Sequence, residues 1–249
     1  MIITKTPFRM SFFGGGTDME SYFNEYGGAV LSTTFDKYCY VTVRHLPRFF
    51  EYKTHLTYSK IEYVNSYDEI QHPAIRNGMK MLDMHELRLT YEADLPARSG
   101  LGTSSSFAVG MLNAFYAIKG KYIDKKKLAN EAIYLERILC EEAGGWQDQI
   151  AASFGGFNRI TFNQNGYEVH PVIISKERKE QFSEVIYITE YWNEKQAVLD
   201  DWNLTLLLER REARKEEGEA LVPYIFSAET MGEDIDRILT AYRSADYGA

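Results

Sequence analysis

The sequence predicts an α+β fold, and three observations carry that prediction. The first half holds short runs rich in β-branched and aromatic residues, which read as strands. Two stretches of helical patterning follow, at 104–119 and 124–142. The first of these is apolar on every side from Phe107 to Ile118, as a largely buried helix is. Short strand runs then return after residue 156.

Taken in order, Ile2, Ile3 and Thr4 open a strand that runs into glycines 14–16. Ala29 to Thr34, Tyr38 to His45, Leu56 to Val64 and Leu87 to Asp94 read as further strands. From Pro73 to Leu82, a proline suited to a first helical turn precedes Ile75, Met79 and Leu82 on one face. In the 124–142 segment Leu128, Ala132, Leu135, Ile138 and Leu139 recur at helical spacing. A helix bearing Asp148 comes next. Strands from Gly156 to Phe162 and from Gly166 to Val172 are joined by the turn Asn163-Gln-Asn-Gly166. Val185 to Thr189 reads as another strand, and 193–218 and 231–243 as helices.

The 249 residues suffice for one large core or two modest ones. A net charge of −8 argues against nucleic acid, whose binding needs a basic patch. Cys39 and Cys140 are too few for a disulfide framework and read as reduced thiols. No stretch approaches the roughly 18–20 apolar residues of a membrane span, and no signal peptide is legible. The expectation is a cytoplasmic enzyme acting on a small molecule, with no membrane partner and with a homodimer left open.

The most informative segment is Pro96-Ala-Arg-Ser-Gly-Leu-Gly-Thr-Ser-Ser-Ser106. Two glycines and four consecutive hydroxyl residues precede a helix whose first N–H groups lack internal partners and carry the positive end of its dipole. A glycine loop there suits phosphate, and hydroxyls add donors and an oxygen ligand for Mg²⁺. A Ser-capped helix after a flexible turn gives the same pattern. The lysine of a Walker loop and the spacing of a Rossmann fingerprint are both absent.

This segment resembles the second motif of the GHMP small-molecule kinases, named for galactokinase, homoserine kinase, mevalonate kinase and phosphomevalonate kinase. Two more segments resemble the family in the right order: Thr6-Pro-Phe-Arg-Met-Ser-Phe-Phe-Gly-Gly-Gly-Thr-Asp18, and Gly144-Gly-Trp-Gln-Asp-Gln-Ile-Ala-Ala-Ser-Phe-Gly-Gly-Phe157. The resemblance covers residues 1–190 and implies an N-terminal ATP-binding domain like ribosomal protein S5 domain 2. Residues 191–249 would form a shortened, mostly helical C-terminal region. Its only glycines are Gly218, Gly232 and Gly248, so the family's third glycine-rich motif is not found there. That region reads equally as a rebuilt lid, a truncation or a self-association surface.

The resemblance further implies site roles. Pro96, Ser99, Gly100, Leu101, Gly102, Thr103, Ser104 and Ser105 would hold ATP, and Ser104 with Glu136 would bind Mg²⁺. Asp148 would be the base or orienting charge for the attacking hydroxyl, and Arg9 would neutralise the moving phosphoryl group. Gly14, Gly15, Gly16, Thr17 and Asp18 would meet the sugar. Each has an ordinary counterpart: a hairpin loop, a helix-start aspartate, a solvated glutamate.

Within the family, the opening segment and Asp68-Glu-Ile-Gln-His-Pro-Ala-Ile-Arg76 resemble D-glycero-D-manno-heptose 7-phosphate kinases, while residues 144–149 resemble L-fucokinases. Both imply phosphorylation of an anomeric hydroxyl. The alternative from another class is a catalytically impaired sugar- or nucleotide-binding relative.

Overall fold

The computed structural model describes residues 1–96 and 100–178. Met1–Val172 form one compact unit. Its elements are β1 (Ile2–Phe13), α1 (Glu20–Tyr26), β2 (Gly28–His45), β3 (Thr54–Thr57), β4 (Ile61–Val64), α2 (Pro73–Met81), β5 (Leu87–Ala93), α3 (Thr103–Ile118), α4 (Lys125–Ile133), α5 (Gln147–Phe154), β6 (Phe157–Asn163) and β7 (Gly166–Pro171). The predicted α+β class holds. The strand expected at Val185–Thr189 and the helices expected at 193–218 and 231–243 lie outside the described residues.

All seven strands join one sheet, with β2 as its spine. The N-terminal half of β2 pairs with β6 and the C-terminal half with β5. β1 runs antiparallel to β2, from Ile2 opposite Val43 to Phe13 opposite Leu31. Two strands were expected where β2 is continuous. Between Pro7 opposite Tyr38 and Arg9 opposite Thr34, β2 advances four residues while β1 advances two. The polar stretch that looked like a strand end is therefore a bulge. The reverse holds at Leu56 to Val64, expected as one strand. It is the hairpin β3–β4, with Thr57 opposite Ile61, because Ser59-Lys60 turns the chain.

The core cluster joins Val41, Val43, Leu87 and Leu89 of the sheet to Met79 of α2 and Met111, Leu112 and Phe115 of α3, all essentially inaccessible. α3 lies almost flush on β1 because of one residue. A Cβ on Gly110 would stand 2.7 Å from Thr6 Oγ1, and Thr4 Oγ1 donates to the Gly110 carbonyl at 2.9 Å. A second cluster gathers Phe23, Val30, Ile133, Ile150, Ile160 and Phe162. The sequence reading did not contain α1. Its roughly two turns are held by Phe23, whose ring lies 4.8 Å from Trp146 and 5.6 Å from Phe162.

The helix expected over 124–142 ends differently. Asp124 caps α4 by accepting from the Lys127 N–H. From Tyr134 to Leu139 the helix widens into a π-type turn, where the Cys140 N–H reaches back five residues to Leu135 O at 2.9 Å. Among the described residues no helix is long and apolar enough to cross a membrane.

Replacing Gly110 by Val should drive methyl groups into Thr6 and Val41 and cost about 1–3 kcal/mol. In urea unfolding, the midpoint should fall with the slope unchanged.

Candidate active site

The geometry begins at the turn after β1. Gly14 has φ +91°, and a Cβ on it would stand 1.9 Å from Ala29 O, so only glycine lets the chain fold back against β2 here. The Thr17 hydroxyl closes this turn, donating to Gly14 O at 2.8 Å and accepting from the Ala29 N–H at 3.2 Å. The Asp18 carboxylate is 2% exposed. It accepts from the Gly16 N–H and the Gln147 N–H, both at 3.0 Å, and Asp18 O accepts from the Trp146 N–H at 3.1 Å. Asp18 thus caps the N-terminus of α5 from another part of the chain, where an anion meets the positive end of the helix dipole. The approach needs Gly145, since a Cβ there would stand 1.9 Å from Asp18 Oδ2.

The first turn of α5 projects three side chains in three directions. Gln147 Oε1 accepts from the Ser11 hydroxyl at 2.5 Å. Asp148 makes a two-pronged ion pair with Arg9 of β1, Nε to Oδ1 at 2.7 Å and Nη2 to Oδ2 at 2.8 Å. Their side chains are 13% and 22% exposed, so the pair is largely enclosed yet reachable by a ligand. The remaining Arg9 nitrogen, Nη1, donates to Gly100 O at 2.8 Å, and the Arg9 N–H donates to Leu101 O at 3.1 Å. Gly102 allows this closeness: its Cβ would lie 3.1 Å from Arg9 Cγ and 3.5 Å from Asp148 Oδ2. Gln149, fully buried, donates its side-chain amide to Glu136 Oε2.

Glu136 sits on the π-type turn and is 1% exposed. Ser105 donates to its Oε2 at 2.7 Å and Ser104 to its Oε1 at 3.2 Å. Burial pushes the Glu136 carboxyl above its usual range, against the opposing hydrogen bonds from Ser105 and Gln149 and the charge of Arg137. At the start of α3, Gly102 takes a left-handed conformation and no described side chain caps the helix. The expected alternative of a Ser cap is not what forms. The N–H groups of the first turn are left without a side-chain acceptor, the arrangement that suits an anion.

The structure therefore brings together Arg9, Asp148, Gly100, Gly102, Ser104 and Glu136, segments up to 139 residues apart. It distributes the hydroxyl run among separate tasks. Ser106 donates to Pro7 O at 2.9 Å, Ser105 to Glu136, and Thr103 is 8% exposed, while Ser104 alone is exposed. Leu101 packs in the core and offers its carbonyl to Arg9, so its part is backbone rather than side chain. Pro96 is exposed, and Ser99 lies outside the described residues. Of the residues expected to meet a sugar, Gly15 and Gly16 are exposed, whereas Thr17 and Asp18 are turned inward and occupied. Gly145, Gln147 and Gln149 were not singled out from sequence. The only signal for them was their adjacency to Asp148 in the 144–149 segment.

Residues 68–156 match the family described as GHMP kinases N terminal domain. Over 176 residues the chain is 32% identical to a D-glycero-alpha-D-manno-heptose 7-phosphate kinase of Campylobacter jejuni, covering 66% of this chain and 51% of that protein. It thus spans about half the length of that relative. Over 87 residues it is 33% identical to an L-fucokinase/L-fucose-1-P guanylyltransferase of Bacteroides fragilis, covering 35% of this chain and 9% of that one. A solved D-glycero-D-manno-heptose 1-phosphate kinase from Bacteroides thetaiotaomicron superposes with a TM-score of 0.68 at 23% identity, covering 96% of this chain and 92% of that chain. At that identity the likeness is one of fold. Residues 68–156, which include Glu136 and Asp148 but not Arg9, are thus similar to the GHMP kinase N-terminal domain.

Proposed function

We propose that the protein is an ATP-dependent sugar kinase acting on the anomeric hydroxyl of a heptose phosphate. The observation that carries this reading is the two-pronged Arg9–Asp148 pair held against the Gly100–Gly102 loop at the start of α3. The relative named for heptose 7-phosphate supports the substrate class. In this reading the ATP phosphates lie on the first N–H groups of α3, and Gly15 and Gly16 let the sugar approach the backbone. Asp148 aligns the anomeric O–H and accepts its proton. The sugar oxygen bonds to the γ-phosphorus as the bond to the ADP oxygen breaks. Arg9 neutralises charge on the moving phosphoryl group, and most of the rate gain comes from positioning and charge. Asp18 and Thr17 act behind this surface, fixing the turn and the start of α5.

The donor set fits Mg²⁺. One buried carboxylate and one exposed hydroxyl, Glu136 and Ser104, stand 3.2 Å apart beside the candidate phosphate site. Such an ion takes one or two protein oxygens and completes its shell with phosphate and water. When bound it offsets phosphate charge and polarises the group being transferred.

With Mg-ATP and a panel of heptose 7-phosphate, fucose, mannose and galactose, ³¹P NMR should show a new anomeric phosphate on the heptose phosphate. ATP binding with no transfer to any sugar would favour the binding-protein alternative instead. Asp148→Asn should lower turnover at least about 10²-fold, as loss of a positioned base does, while ATP affinity changes no more than a few-fold. Unchanged turnover would remove Asp148 from the chemistry.

Glu136→Gln should separate stability from function. Because burial raises the Glu136 carboxyl, the folded chain holds this proton to higher pH than the unfolded chain. Its contribution to stability is complete below the ordinary carboxylate range and is lost as pH rises through the raised value. The variant should therefore melt higher than wild type at pH 8, by about 2–4 °C for each kcal/mol recovered, and the gap should close toward pH 4.

A further inference from the structure

We infer that Gln149 is a positioning residue for the metal-side carboxylate, tying Glu136 to the helix that carries Asp148. The inference rests on the reading of Glu136 as a Mg²⁺ ligand. Gln149 is wholly inaccessible, and its amide nitrogen is spent on Glu136 Oε2. Its other polar atom, Oε1, is buried with no described partner. An orphaned buried acceptor costs on the order of 1–3 kcal/mol, so an apolar side chain of this size would serve packing better. The amide's role must be sought in the atom it holds.

That atom is the one that decides where Glu136 points. Ser105 and Gln149 both donate to Oε2, whereas Oε1 faces only the exposed Ser104 hydroxyl, at the longer distance of 3.2 Å. Two donors therefore pin one oxygen and leave the other directed at the start of α3. Glu136 stands on the π-type turn, and α5 reaches it from a separate segment. Gln149 is next to Asp148, so one helical turn orients both the carboxylate for the sugar hydroxyl and the carboxylate for the cation. Partners of this kind tune metal affinity by about 10- to 100-fold.

The test uses Mn²⁺ as the probe, its binding followed by EPR in the presence of a non-hydrolysable ATP analogue, with Gln149→Met, Gln149→Leu and Glu136→Gln. Both Gln149 variants remove the amide and the orphan together, so at least one should fold with a melting point equal to or above wild type. It should nevertheless bind Mn²⁺ about tenfold more weakly. The Mg²⁺ needed for half-maximal rate should rise, while KM for the sugar stays within twofold. A Gln149 variant with wild-type Mn²⁺ affinity, beside a weakened Glu136→Gln, overturns the inference and leaves the metal reading standing. Wild-type affinity in Glu136→Gln overturns the metal reading and the inference with it. Parallel losses of melting point and affinity in both Gln149 variants would show that Gln149 only packs.

Discussion

The first turn of α5 is the constraint on which the arrangement depends. Consecutive residues on a helix point about 100° apart, so Gln147, Asp148 and Gln149 reach in three directions. Each binds a different residue: Ser11 and Arg9 of β1, and Glu136 on the π-type turn. The backbone of the same turn is capped by Asp18, which belongs to the glycine turn. Three parts of the chain, β1, the glycine turn and the π-type turn, thus converge on one turn of helix. Gly145 is what allows it, because any side chain there would occupy the space of the Asp18 carboxylate.

The charges at this centre are enclosed but not isolated. Taking a carboxylate out of water is costly unless hydrogen bonds and opposite charge replace the solvent. Asp148 has the guanidinium fork of Arg9, and Asp18 has backbone N–H groups at a helix N-terminus. Glu136 has hydroxyls and an amide but no cation paired through a hydrogen bond among the described residues, and its carboxyl is the one that burial pushes up. A carboxylate buried beside the start of α3, with Arg137 as the charge that favours its ionised form, is an arrangement that a bound cation would relieve. Local destabilisation of this kind collects where chemistry is done.

Much of the fold was legible because strand and helix periods are local properties. α2, α3, β6, β7 and the Asn163–Gly166 turn lie where the patterning places them. The departures have physical causes that no local pattern contains. β2 is continuous because β1 pairs along both of its halves across a bulge, and α1 forms because Phe23 finds Trp146 and Phe162. The widening at Tyr134–Leu139 depends on how that turn packs.

At the site, sequence by itself determined the ingredients. The glycines of the turn and loop, the hydroxyl run, Arg9, Asp148 and Glu136 all follow from residue type and order, since backbone freedom, charge and donor capacity belong to the residue. Tertiary structure decided how each was used. Of four adjacent hydroxyls, one ties α3 to β1 and two donate to Glu136, one of them from an exposed position. Asp18, alike in charge to Asp148, became a buried helix cap while Asp148 met Arg9 in a partly exposed pair. The reason is that a carboxylate's role is set by the donors brought within 3 Å of it. The deciding donors, Arg9 for Asp148 and the Gln147 N–H for Asp18, come from segments more than a hundred residues away, whose arrival only the packing of the whole unit determines.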